Sequence, residues 1–459
     1  MSDRTTSSSG LTPKCQAGPF RSNTRASSHR DGPDDGCGSA LARACRWYSP
    51  RMTFETRRIG RDELLPWLES VTTTFLERPD IEKVAGLLGP RWDFERIWGA
   101  VDGRIVGTLR TWATEVTVPG GAQLRAAAMT GVTVLPTHRR RGILRSMVAA
   151  EHAAARDRGE VLGVLHASEA PIYGRFGYGY GVDSCTWTLD VRSTAFTSNP
   201  VAGITIAPID DATADLTREL YDAHRRRAPG EIQRRDWTFA MDIGLTESGW
   251  DPPWKGWVLL HRDEAGVPDG YVRYRAEEKW EAHMPRSVVH VQDFVALNDA
   301  AYDAQWRFLA EMDLVATVRA ERRSPSERLP WILANSRAAV LSETGDGLWV
   351  ALFDVEAALS ARRYERSGEL VLEIVDGEAG GQPVRVHLEA GPDGASCRST
   401  RRAPDLSIHA DALGAAYLGG TPLRHAALAR GFVEHRPGSL RDADALFRTL
   451  DPPTCMTFF

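Results

Sequence analysis

The chain has no apolar run near the ~20 residues that a membrane-spanning helix needs, and residues 1–51 lack the hydrophobic stretch of a secretion signal. Both absences point to a cytoplasmic protein. Cysteine is scarce: Cys15, Cys37, Cys45, Cys185, Cys397 and Cys455 never fall in CxxC spacing, which argues against a disulfide framework and a zinc site. No metal is expected. A broad basic face for nucleic acid is also missing. The net charge is −5, and residues 1–51 hold a local balance of +4, so the remainder carries −9. Such a body disfavours a polyphosphate partner and is compatible with amine-bearing substrates.

What is present is a globular composition, 42% hydrophobic and 25% charged over 459 residues, enough for about three domains. Residues 1–51 are rich in Ser, Gly, Arg and Pro. They cannot bury enough apolar surface to offset the entropy of ordering, so a disordered extension is expected there. Met52 opens a strand-like alternation and is an alternative translation start. Three α/β (α+β) units should follow, over 52–195, 196–340 and 341–459. In the first, helices are expected near 61–77, 81–88 and 142–158, and strands near 96–101, 104–118, 123–134 and 161–166. The second repeats that order, with strands near 257–261, 270–274, 288–296 and 314–319 and a helix over 300–312. The third offers strands near 348–353, 369–375 and 384–390, and helices near 410–417 and 443–450.

The most informative stretch runs Val132-Thr-Val-Leu-Pro-Thr-His-Arg-Arg-Arg-Gly-Ile-Leu-Arg145. It reads as a strand feeding a cationic turn that opens a helix. Backbone N–H groups at a helix start have no intrahelical partner and carry the positive end of the helix dipole, so a phosphate gains hydrogen bonds and field there. Gly142 adds close backbone approach, and Arg139, Arg140, Arg141 and Arg145 add charge. A phosphorylated small molecule is the implied ligand. The second unit has no such turn. Beyond it, His166 and Ser168 lack the Gly-x-Ser-x-Gly elbow of a hydrolase and read as strand-end residues.

Three blocks then carry a family resemblance: Pro136-Thr-His-Arg-Arg-Arg-Gly-Ile-Leu-Arg145, His166-Ala-Ser-Glu169 and Ile172-Tyr-Gly-Arg-Phe-Gly-Tyr-Gly179. The turn is similar to the Arg/Gln-x-x-Gly-x-Gly/Ala signature of GNAT N-acetyltransferases, with Leu144 in the last place. Together the blocks resemble the Eis (enhanced intracellular survival) family within that superfamily, over essentially all of 52–459. The resemblance implies two tandem GNAT-like domains, the second degenerate, then a sterol-carrier-protein-like domain, assembled as a homohexamer. It implies acetyl-CoA as cosubstrate. The backbone of Val132, Thr133 and Val134 would pair with the pantetheine, the turn from Arg140 through Arg141, Gly142, Ile143 and Leu144 to Arg145 would wrap the pyrophosphate, and Ser168 and Glu169 would contact the cofactor. Tyr173 would be the general acid and the terminal carboxylate of Phe459 the general base.

The resemblance leaves the acceptor open among an aminoglycoside-type polyamine, an arylalkylamine and a protein lysine. A non-catalytic lipid- or ligand-binding scaffold is the competing class. Phe458 stands where aminoglycoside-acetylating members carry an acidic residue, and Gly131 stands where they carry an aromatic. Glu77 matches an acidic position near the start of the first domain.

Overall fold

The computed structural model describes residues 54–199, 202–375 and 382–459; the extension expected over 1–51 lies outside them. The first stretch places β1 (Glu55–Arg58), α1 (Leu64–Phe75), α2 (Ile81–Leu88), β2 (Ile97–Val101), β3 (Ile105–Thr117), β4 (Gln123–Val134), α3 (Ile143–Asp157), β5 (Leu162–His166), β6 (Gly179–Tyr180) and β7 (Asp183–Asp190). The second holds β8 (Ile204–Ala207), α4 (Asp211–Arg225), α5 (Asp236–Asp242), β9 (Trp257–Arg262) and β10 (Pro268–Glu277). A small hairpin, β11 (Trp280–Glu281) and β12 (Met284–Pro285), precedes β13 (Ser287–Ala296), α6 (Asp299–Ala310) and β14 (Val315–Arg323). The last contains β15 (Ala339–Asp346), β16 (Leu348–Leu352), α7 (Val355–Ala361), β17 (Gly368–Val375), β18 (Val384–Gly391), β19 (Gly394–Ser399), β20 (Leu406–His409), α8 (Ala410–Ala416), α9 (Leu423–Arg430), β21 (Phe432–Glu434) and α10 (Ser439–Phe447).

These elements build two seven-stranded sheets, ordered β1-β2-β3-β4-β5-β16-β6 and β15-β7-β14-β13-β10-β9-β8, and a five-stranded sheet, β19-β18-β17-β20-β21. A linear division at 195 and 340 is crossed by strands in both directions. β7, continuous in sequence with the first unit, pairs with β14 and β15 in the second sheet, whereas β16 returns to the first and lies antiparallel to β5 and β6. The apolar run Leu348–Leu352 marks a strand, but nothing local in it names its neighbour. The exchange locks the two sheets together through backbone hydrogen bonds. A further bridge joins Val116 to Ile232, and the Gln233 N–H donates to the Glu115 carbonyl at 2.9 Å.

Sequence pattern accounts for the helices nearest the groove described below. α2 starts at Asp80, whose carboxylate accepts from the Lys83 N–H at 3.0 Å. α3 buries Ile143, Met147, Val148, Glu151 and Ala155, one face at i, i+4 spacing. Its buried Glu151 is satisfied: Thr111 and Trp98 donate to it at 2.7 and 2.6 Å, and Arg158 pairs with it at 2.5 Å. The opposite face of the first sheet shares one apolar core with the C-terminal unit, from Trp112 and Val164 through Leu372 to Tyr417 and Phe447. Each fully buried large side chain there contributes about 1.5–3 kcal/mol. The C-terminal unit is therefore packed onto the first sheet along its length, not tethered to it.

Candidate functional site

The parallel ladder between β4 and β5 runs from Ala126↔Leu162 to Met129↔Leu165 and stops. β4 continues through Thr130–Val134, bonded to β3, with Thr133 opposite Thr108 and Val134 opposite Gly107. The two strands therefore part like a V. The β3–β4 register shifts between Thr108 and Arg110, and Gly131 sits in this bulge at φ +60°. A Cβ there would also meet the Trp67 ring at 3.1 Å. An aromatic in place of Gly131 is disfavoured by both facts, and Trp67 lies against that spot instead.

A groove of about 870 Å³ opens at the V. Val132, Thr133 and Val134 form one wall, and Arg139, Arg140, Gly142, Ile143, Leu144 and Arg145 form the end at the start of α3. Gly142 holds the N-cap position at φ +83° and gives the helix no side-chain cap. A Cβ on it would touch nothing within 4 Å, so left-handed backbone, not crowding, is what requires glycine. Arg140 is itself left-handed at φ +63°, a strained conformation for a side-chain-bearing residue that turns the peptide groups at the helix entrance. These are the features of a phosphate cradle. The remaining wall is Ser168, Glu169, Ile172, Tyr173, Arg175 and Phe176, with Thr74 and Phe75 at the rim.

The groove thus brings together ten of the eleven residues expected to bind the cofactor, together with Tyr173. Arg141 is placed differently. Its Nη2 donates to the Thr137 carbonyl at 3.0 Å and its Nη1 lies 3.8 Å from Asp102, while Arg139 lines the groove. Sequence gave no means of ranking three consecutive arginines; the left-handed Arg140 sets which ones point inward.

Tyr173 is 4% exposed. Burial pushes its phenol pKa upward, while a hydrogen bond with the Ser168 side chain pulls the other way and the Glu169 charge adds to the rise. A phenol so placed keeps its proton through neutral pH. Tyr178 and Tyr180 have other work. Tyr178 is buried with its hydroxyl 3.2 Å from His152 Nε2, and Tyr180 donates to the Gly345 carbonyl at 2.9 Å.

Phe459 lies at a second pocket, of about 140 Å³, shared with Trp112, Arg234, Arg235, Asp293 and Phe458. The last four residues are tied down one by one. The Met456 N–H donates to Glu231 at 3.0 Å, and its carbonyl accepts from Arg322 Nε at 3.0 Å. Thr457 Oγ1 meets the Tyr221 hydroxyl at 2.7 Å and accepts from Arg234 Nε at 2.9 Å. His166 places Nε2 2.9 Å from the Thr457 carbonyl and Nδ1 3.1 Å from that of Gly347. Both terminal rings then pack on His166 at 4.9 Å, and Phe459 meets Trp112 edge-on at 5.5 Å. His166 is two residues before Ser168, so the tail ends beside the strand that carries the groove's far wall. Glu77, two residues beyond Phe75, accepts from Trp250 Nε1 at 2.6 Å and so bridges to the second half. Sequence reasoning did not reach Arg234, Arg235 and Asp293, which are assembled from separate elements with no shared motif.

Comparison with known proteins agrees with this layout. Residues 55–181 and 230–351 each match a model of the acetyltransferase (GNAT) domain, and 355–456 match the sterol carrier protein domain. An uncharacterized N-acetyltransferase of Streptomyces griseus is 37% identical over 420 residues, 89% of this chain and all of that protein. The N-acetyltransferase Eis of Mycobacterium tuberculosis is 32% identical over 368 residues, 77% of this chain and 85% of that one. The crystal structure of Eis1 from Mycobacterium abscessus superposes with a TM-score of 0.76 at 31% identity, covering 88% of this chain and all of that one.

Proposed function

The chain belongs to the Eis family of GNAT N-acetyltransferases, and on that premise we propose that it transfers acetyl directly to a substrate amine, with Tyr173 as general acid and the Phe459 α-carboxylate as general base. Acetyl-CoA supplies an activated acetyl group as a thioester. Its fit to the groove is supported by the wall of Val132–Val134 beyond the end of the β4–β5 ladder, which suits pantetheine amides, and by the uncapped start of α3 between Arg139, Arg140 and Arg145, which suits a pyrophosphate. Ser168 and Glu169 flank the same channel.

Two proton movements are needed. The substrate ammonium must lose a proton before its nitrogen can attack, and the departing sulfur must gain one as the C–S bond breaks and the C–N bond forms. Tyr173, raised above its ordinary pKa of 10 by burial, holds a proton for that sulfur. The first proton goes to the tail carboxylate. The observation that carries this reading is the anchoring of Met456 and Thr457 by Glu231, Arg322, Arg234, Tyr221 and His166. Glu231, Arg322 and His166 hold the backbone of the tail, Tyr221 and Arg234 hold the Thr457 hydroxyl, and the final ring is set against Trp112. No metal takes part in the scheme, and among the described residues no group of His, Cys, Asp and Glu is spaced to hold one. No described helix is long and apolar enough to cross a membrane.

Extending the chain by four residues after Phe459 tests the base directly. Thiol release from acetyl-CoA with an amine acceptor should fall to background while the melting temperature stays put. An extended enzyme that turns over normally removes the carboxylate from the mechanism. Homohexameric assembly belongs to the same proposal, and light scattering reads it.

A further inference from the structure

We infer that the acetyl acceptor is a small amine that also carries a carboxylate, and that Arg235 receives that carboxylate in the pocket beside Phe459. This rests on the acetyltransferase reading and deepens it by naming the acceptor's class. The pocket holds about 140 Å³, well under the roughly 300–1,000 Å³ of sites that enclose drug-sized ligands. An amino-acid-sized molecule matches it, and a larger pocket of about 590 Å³ adjoins it at Met241, Asp242 and Arg273.

The charges decide the rest. Three carboxylates belong to the pocket: those of Asp293 and Asp242, which the protein's own cations already claim, and the Phe459 α-carboxylate, which the proposed mechanism reserves for the substrate's proton. Arg234 forms a two-pronged pair with Asp293 at 2.8 and 2.8 Å, and Arg273 approaches Asp293 at 3.3 Å and Asp242 at 4.0 Å. Arg322 spends its donors on the Met456 and Gln292 carbonyls. Arg235 is left over. Its guanidinium lies between the rings of Trp112 at 4.5 Å and Trp237 at 4.6 Å, it pairs with no carboxylate among the described residues, and its buried Nε has no hydrogen-bond partner. Such an orphaned donor is costly unless a ligand completes it. A second cation, Arg110, stacks on Trp92 at 4.1 Å and repels Arg235. Burial drives both guanidinium pKa values down, Arg110 to about 9 and Arg235 to about 10, with Asp242 offsetting only part of the fall at Arg235. A polycation entering here meets a surplus of guanidinium groups. An amine with its own carboxylate brings the missing anion, while Trp112, Met456 and Phe458 offer apolar contact.

The test uses N-acetylphenylalanine and N-phenethylacetamide, which share ring and amide and differ by the carboxylate. Calorimetry on the full chain with coenzyme A present should find the carboxylated member bound at least tenfold tighter. Arg235→Gln should erase that preference, and Arg235→Lys should keep part of it. Equal binding, no binding of either, or a ratio untouched by Arg235→Gln overturns the inference. So does competition by kanamycin. Transfer is read separately by thiol release. A protein that acetylates phenethylamine but not phenylalanine keeps the enzyme and loses the carboxylate; one that binds N-acetylphenylalanine through Arg235 yet transfers nothing keeps the pocket and loses the enzyme.

Discussion

The two seven-stranded sheets each contain one parallel pair, β4–β5 and β13–β14, and each pair stops before its strands end. In the first, the opening is a groove. In the second, side chains fill it: Arg322 donates to the Gln292 carbonyl at 3.3 Å, Arg323 to the Phe294 carbonyl at 3.0 Å, and Gln305 to the Val295 carbonyl at 3.0 Å. The helix starts differ in the same sense. α3 begins at a left-handed glycine with no side-chain cap, whereas α6 begins at Asn298, whose side chain accepts from the Ala301 N–H at 2.9 Å, followed by the acidic Asp299. One fold thus shows what separates a ligand site from a scaffold. The same backbone groups are offered to a ligand in one half and satisfied internally in the other.

The comparison breaks most visibly at Tyr173. Tyr173→Phe should lower kcat by about 10²- to 10⁴-fold, the usual worth of a general acid, with acetyl-CoA affinity unchanged by calorimetry. Unaltered turnover would remove the acid role. At the helix start, Gly142→Val forces a β-branched residue to φ +83°, a strain of about 1–3 kcal/mol. It should raise the acetyl-CoA dissociation constant about tenfold or more. The matching change in the second half, Asn298→Ala, removes a cap worth about 1 kcal/mol. Its melting temperature should fall while acetyl-CoA affinity holds. A loss of affinity there would mean that the second half also serves the cofactor.

The smallest effect is one the halves share. Burial holds His152 in the first at about 3 and His224 in the second at about 4. Both values lie below the ordinary 6.5, so on acidification the unfolded chain takes up protons that the folded one refuses. Stability should therefore decline as pH falls from about 6.5 toward 4, and His224→Gln should flatten that decline in urea titrations. An unchanged slope would mean that His224 is protonated in the folded protein.

Much of this comparison was legible before the structure. The pattern of apolar residues placed α2 and β4 at their observed ends, and the arginine-glycine turn marked the start of α3, which is left without a side-chain cap, because helix-start chemistry is local. Its lack in the second half was visible for the same reason. What sequence did not carry was pairing across distance. β7 and β16 trade sheets through backbone bonds that any extended residue can make. The pocket at Phe459 draws Trp112, Arg235, Asp293 and the tail from separate elements, so no spacing announces it. Gly131 was legible as a departure from relatives but not as a bulge beneath Trp67, since its left-handed backbone depends on the register of β3.

The most direct test of the central claim is a calorimetric titration of the full chain with acetyl-CoA. One molecule should bind per chain, since the first sheet leaves the end of β4 and the start of α3 to a ligand, whereas the matching start of α6 is capped by Asn298. Two sites per chain, or none, would contradict the account.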